Sequence, residues 1–63
     1  MAKDINNKRI KVGSHVIWYD PEEEYRDLTR VYEVFDISDD MVCIADDYSE
    51  AEVYASELEV VDK

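Results

Sequence analysis

The side chains with chemistry to offer gather in two places. In Trp18-Tyr19-Asp20-Pro21-Glu22-Glu23-Glu24-Tyr25 aromatic rings stand beside a run of carboxylates, and Asp46-Asp47-Tyr48-Ser49-Glu50, followed by Tyr54, repeats the combination. Ring faces attract ammonium and guanidinium groups, while carboxylates steer and orient them. The pattern points to recognition of a basic protein or peptide segment. Its aromatic candidates are Trp18, Tyr19, Tyr25, Tyr48 and Tyr54, and its acids are Glu22, Glu23, Glu24, Asp46 and Asp47.

Catalytic chemistry finds less to work with. Neither Asp39-Asp40 nor Asp46-Asp47-Ser49-Glu50 has the spacing that encloses calcium, in which alternating acids and a glycine precede a distal bidentate Glu. One histidine, His15, and one cysteine, Cys43, cannot build a Cys/His zinc site or a disulfide within the chain. Gly13 is the single glycine, so there is no glycine-rich phosphate loop. Paired acids for glycoside chemistry need a cleft that so small a core can hardly enclose. Cys43, set in Met41-Val42-Cys43-Ile44-Ala45 among neighbouring carboxylates, reads as a core thiol and not as a nucleophile. The expectation is a non-enzymatic protein with no cofactor.

Charge narrows the partners. The chain carries 17 Asp and Glu against 7 Lys and Arg, a formal charge of −10. The excess is uneven: residues 1–11 hold four basic side chains and one acid, whereas residues 31–63 hold eleven acids and one base, Lys63. Such a balance repels nucleic acid and anionic lipid and favours basic partners. It also admits a second role, in which a compact acidic domain imitates nucleic acid and occupies basic protein surfaces, and a third, in which acidity only keeps an accessory domain soluble. No apolar run is long enough to span a bilayer, and Met1-Ala2-Lys3-Asp4 lacks the apolar segment of a signal peptide, so the expected location is cytoplasmic.

The elements that must position these groups are short. Sixty-three residues allow one domain, in which only about 60% of the unfolded surface can be buried. Residues 1–9, with Asn6-Asn7 and mixed charges, read as a flexible tail, and residues 10–63 as the domain. Val16 and Trp18, two apart with His15 and Ile17 opposite, mark a strand after a Gly13-Ser14 bend. Tyr19 to Leu28 is a long loop, in which Asp20, Pro21 and Glu23 would suit one helical turn, with Leu28 tucked back onto the core. Thr29 to Ile37 alternates again, Tyr32 and Val34 against Val31, Glu33 and Phe35. Keeping that phase would turn Asp36 inward, which a bulge near Phe35 or the emergence of the strand's end would resolve. Ser38-Asp39-Asp40 is a turn, and Met41 to Ala45 completes a hairpin with Val42 and Ile44 on one side.

Residues 50–58 support two readings. Ala51, Tyr54, Ala55 and Leu58 form a helical stripe opened by a Ser49…Glu52 capping box, and periodicity slightly favours it. The same residues also fit a strand with Ala51 and Val53 inward, a 3₁₀ turn at 55–58 and a last strand over 59–61.

The succession "VGSHVIW", long loop, "RVYEVFDI", tight turn, "MVCIAD", "AEVYASELEVV" resembles a small SH3-like β-barrel. There a V-x-x-S-x-L-x-x-V ending marks the fourth strand, a 3₁₀ turn and the fifth strand; Val53, Ser56, Leu58 and Val61 fall approximately at those places, and Gly13 and Val16 match a G-x-x-V opening. More narrowly, "WYDP", the hairpin and "SEAEVYASELE" look like small SH3-like proteins of gut anaerobic bacteria. The resemblance covers about residues 11–62 and tips 50–58 toward strand, 3₁₀ turn, strand. It implies an all-β fold: a five-stranded, partly open barrel with Val16, Tyr32, Val34, Val42, Ile44, Val53, Leu58 and Val61 as core. The fold serves many functions. In barrels that bind ligands, aromatics from the long first loop and neighbouring strand ends form the site, which implies a groove flanked by Tyr19, Tyr25 and Tyr54, with Trp18 mainly in the core. The paired-aromatic motif for proline-rich peptides is not reproduced.

Overall fold

The computed structural model describes residues 2–21 and 30–61. Strands β1 (His15–Trp18), β2 (Tyr32–Ser38), β3 (Met41–Ala45), β4 (Glu50–Tyr54) and β5 (Leu58–Val60) form one antiparallel sheet in the order β4-β3-β2-β1-β5, with a 3₁₀ turn, Ala55–Glu57, between β4 and β5. The architecture is SH3-like, and the sheet stays open between β4 and β5. Residues 50–58 are strand, turn and strand, not helix. Burial explains the outcome: Val53, Ala55 and Leu58 are all buried, and a helix would have taken Val53 off the stripe made by Ala55 and Leu58.

Period-two burial builds the core. Val16, Tyr32, Val34, Val42, Ile44, Val53 and Leu58 are buried. The expected eighth member, Val61, is only half-buried. The 3₁₀ turn closes at Glu57 and β5 starts one residue earlier than expected, so Val60 packs on the core in its place.

The phase problem in β2 is solved by a bulge. The β2–β3 register slips between Val34 and Asp36, which leaves Phe35 and Asp36 outside and returns Ile37 to the core side. Ser38 then pairs with Met41 across Asp39-Asp40, and Asp39 takes a left-handed φ of 55°, a conformation that a short polar side chain tolerates. Gly13, at φ 94°, makes the bend before β1, and its N–H donates to the Val34 carbonyl at 2.8 Å.

Residues 2–9, expected to be a flexible tail, fold back on the domain. Lys3 and Arg9 form a β-bridge, the Ile10 N–H donates to the Ala2 carbonyl at 3.0 Å, and Ala2 and Ile10 are buried in the core. Asp4 is the organising residue. Its buried carboxylate accepts the N–H groups of Asn6 (2.9 Å) and Lys8 (2.7 Å) through Oδ1, and that of Val60 (2.8 Å) through Oδ2. Burial acts to raise the Asp4 pKa, but these three main-chain donors and the nearby Lys8 charge outweigh it and hold the group below its ordinary value. A short acidic side chain thus ties a local turn to a strand 56 positions away.

Candidate site on the outer sheet face

The residues singled out in the sequence divide among three locations. Trp18 and Tyr19 lie at the exit of β1. Trp18 is half-buried, set edge to face against Tyr32 with ring centroids 6.3 Å apart, and its indole N–H donates to Glu57 at 3.0 Å. Tyr19, expected to be exposed, is also half-buried: its hydroxyl donates to Glu59 at 2.7 Å and its main-chain N–H to the Glu57 carbonyl at 2.8 Å. The polar tips of the two rings therefore fasten the chain to the 3₁₀ turn and to the last strand.

Tyr54 is exposed at the end of β4, in a shallow depression with Lys3, Asp40, Ala55 and Ser56. That depression contains no part of Tyr19. Tyr25, with Glu22, Glu23 and Glu24, the helical turn proposed around Glu23 and the inward Leu28, lies outside the described residues.

Asp46, Asp47, Tyr48 and Ser49 form the β3–β4 connection. Asp46 has little capacity left for a ligand: Oδ1 accepts the N–H groups of Tyr48 (2.9 Å) and Ser49 (2.8 Å), and Oδ2 meets the Arg30 guanidinium. The Arg30 hydrogen bond is the main reason its carboxyl sits well below the usual range; desolvation opposes the shift, and the two main-chain donors reinforce it. Arg30 also lies over the Tyr32 ring at 5.2 Å and reaches Ser49 Oγ at 3.2 Å, so Asp46 and Arg30 together lock the loop to the start of β2. Asp47 is exposed, and Tyr48 is 90% exposed.

A further group of accessible apolar and acidic side chains lies on the outer face of the sheet. Antiparallel pairing sets His15, Glu33, Ala45 and Glu50 in one cross-strand row on the outer face of β1 to β4. Beside this row stand Val31 and Phe35, 44% and 47% exposed, Phe35 held there by the bulge. Together with Asp46 and Asp47 these residues line an open groove of about 490 Å³. Among the described residues its wall contains the carboxylates of Glu33, Asp46, Asp47 and Glu50, and no Lys or Arg. The apolar floor offers contact, and the acidic rim a potential for cations.

Val31, Glu33, Phe35 and Glu50 were not among the residues singled out in the sequence, although alternation with Tyr32 and Val34 had already placed the first three outward. The signal was present in Phe35, a large apolar residue on the face opposite the core. Cys43 also departs from expectation. It alternates with buried Val42 and Ile44, so it is half-buried on the outer face opposite Glu52, with Sγ 3.9 Å from that carboxylate. Desolvation, then the charges of Glu52 and Asp36, raise its pKa and keep it a thiol. Among the described residues, no group of three or more His, Cys, Asp or Glu is arranged to hold a metal ion.

No family model matches this chain, and neither a curated protein nor a solved structure matches it.

Proposed function

We propose that this protein is a non-enzymatic interaction module that receives a Lys- or Arg-bearing protein segment on the outer face of its sheet. The observation that carries the reading is the exposure of Val31 and Phe35 beside Glu33, Asp47 and Glu50. Apolar residues flanked by carboxylates match an aliphatic-stemmed cation: the stem packs on Phe35 while the charged head meets the rim. The chain's net charge of −10 adds long-range attraction for the same class of partner and repulsion for nucleic acid and anionic membranes. We further place it among small cytoplasmic SH3-like proteins of bacteria, on the likeness of "WYDP" and "SEAEVYASELE" to those of gut anaerobes.

The test is a titration of isotope-labelled protein with a lysine- and leucine-containing peptide and with its glutamate-for-lysine counterpart, following amide shifts. Only the basic peptide should move the signals of Val31, Glu33, Phe35 and Glu50, and Phe35→Ala should weaken binding while the fold persists. Equal response to both peptides, or shifts confined to other faces, would dispose of the reading.

A further inference from the structure

The two edges of the sheet are finished differently, and the difference assigns a binding mode. On the β5 edge the Leu58 carbonyl accepts the Ile5 N–H at 2.9 Å and the Val60 N–H donates to Asp4 at 2.8 Å, so the N-terminal residues occupy the place of a further strand. On the β4 edge nothing corresponds among the described residues. The Asp46 N–H bonds the Ser49 carbonyl and the Ala55 N–H bonds the Asp40 carbonyl, at 2.9 and 2.8 Å. These contacts bracket the β3–β4 ladder and fix its phase. With Ile44 opposite Ala51 and Val42 opposite Val53, antiparallel alternation turns the main-chain groups of Ala51 and Val53 toward β3. Those of Glu50, Glu52 and Tyr54 point away from it. Among the described residues they have no main-chain partner, and all three side chains are exposed on the same outer face.

We infer that β4 is a strand-addition site, and that its occupant is an extended segment carrying Lys or Arg at alternate positions, paired antiparallel with Glu50–Tyr54. Unpaired edge donors and acceptors are a template for another strand. Which strand is accepted is set by the side chains that flank it. A second copy docked β4 to β4 in full antiparallel register would set Glu52 against Glu52, an arrangement of like charges that destabilises the pair. A basic strand reverses the sign of that term, and its cations come to lie beside Glu52 and Glu50, the latter already on the rim of the groove. The inference rests on the proposed reading of the protein as a receptor for basic segments and states how such a segment is held.

Geometry supplies a discriminating test. In a hydrogen-bonded antiparallel pair, the residue opposite Glu52 directs its own N–H at β4, whereas its neighbours direct theirs to solvent. The probe is an acetylated, amidated decapeptide of alternating lysine and threonine, prepared unmodified, N-methylated on the lysines and N-methylated on the threonines. Calorimetric titration should show the threonine-methylated peptide within about threefold of the parent and the lysine-methylated one weaker by at least about tenfold. In the free protein the amides of Glu52 and Tyr54 should exchange rapidly with solvent while those of Ala51 and Val53 are protected, and the parent peptide should slow the first pair. Equal binding by all three peptides, or equal loss from both methylations, overturns strand addition and leaves attraction of basic segments standing. Protection of Glu52 and Tyr54 in the free protein also overturns it, and absence of binding by the unmodified peptide removes both readings.

Discussion

The β5 edge and the β4 edge of this sheet present the same main-chain chemistry to their surroundings and solve it in opposite ways. At β5, residues 2–10 fold back so that Ile5 and Asp4 satisfy Leu58 and Val60. At β4, exposed Glu50 and Glu52 flank main-chain groups that nothing among the described residues pairs. A covered edge adds to stability, because its donors and acceptors are satisfied and Ala2 and Ile10 join the core. A charged edge discourages like strands without consuming the hydrogen-bonding capacity of the strand. The two sides of one small sheet are thus finished in different ways.

That division can be broken from the β5 side first, where the effects should be largest. Leu58 is fully buried at the start of β5, and Leu58→Ala should cost about 3 kcal/mol in urea unfolding, within the range for buried leucines. Asp4→Ala removes the acceptor of three N–H groups, those of Asn6, Lys8 and Val60, and should cost about 1 to 2 kcal/mol. Its signature is faster amide exchange at Val60 and Ile10 with little change at Val53.

The Asp4 contribution also has a defined pH dependence. Its folded-state pKa lies below the ordinary 3.8, so the stabilisation is fully present above that value and is lost as pH falls through the depressed folded pKa. The stability difference between wild type and Asp4→Asn should therefore hold constant from neutrality down to about pH 5 and narrow in stronger acid. A difference that narrows near neutrality would show that something other than the carboxylate seals this edge.

On the β4 side the same measurements should barely respond. Glu52→Gln changes an exposed side chain, and chemical denaturation should shift by less than about 0.5 kcal/mol in either direction. The basic decapeptide should nonetheless bind the variant more weakly. A loss of stability comparable to that of Asp4→Ala would mean that β4 is a structural edge like β5, and the contrast between the two would collapse.

The legibility of the fold and of the site differed for a physical reason. Strands β1 to β3 were readable from alternation alone, because Val16, Tyr32, Val34, Val42 and Ile44 recur at the spacing that sends them to one face. The phase conflict at Asp36 was legible too, and of its two resolutions, a bulge or the emergence of the strand's end, the structure has the bulge. The surroundings of the candidate residues were less legible. Tyr19 and Trp18 carry the right chemistry but hold it against Glu59 and Glu57, and Asp46 holds Arg30. Whether an aromatic or an acid is available to a ligand depends on which distant partner the fold brings to it, and Tyr19 and Glu59 are separated by 40 positions.

By itself the sequence determined composition, charge sign and local period, and with them a small acidic β-domain whose core alternates along each strand. Local patterning suffices for these because strand phase is set by neighbours two residues apart. Tertiary structure decided the rest. Residues 2–9 look like a polar tail in isolation, and only the presence of Leu58 and Val60 beside them gives Asp4 and Ile5 something to bond. Residues 50–58 suited a helix by period, and became strand and turn because β3 offers Val53 a partner and the core offers Leu58 a place. The contrast between a sealed and an open edge exists only once five short segments are laid side by side, because an unpaired main-chain group is defined by what lies next to it in space and not in the chain.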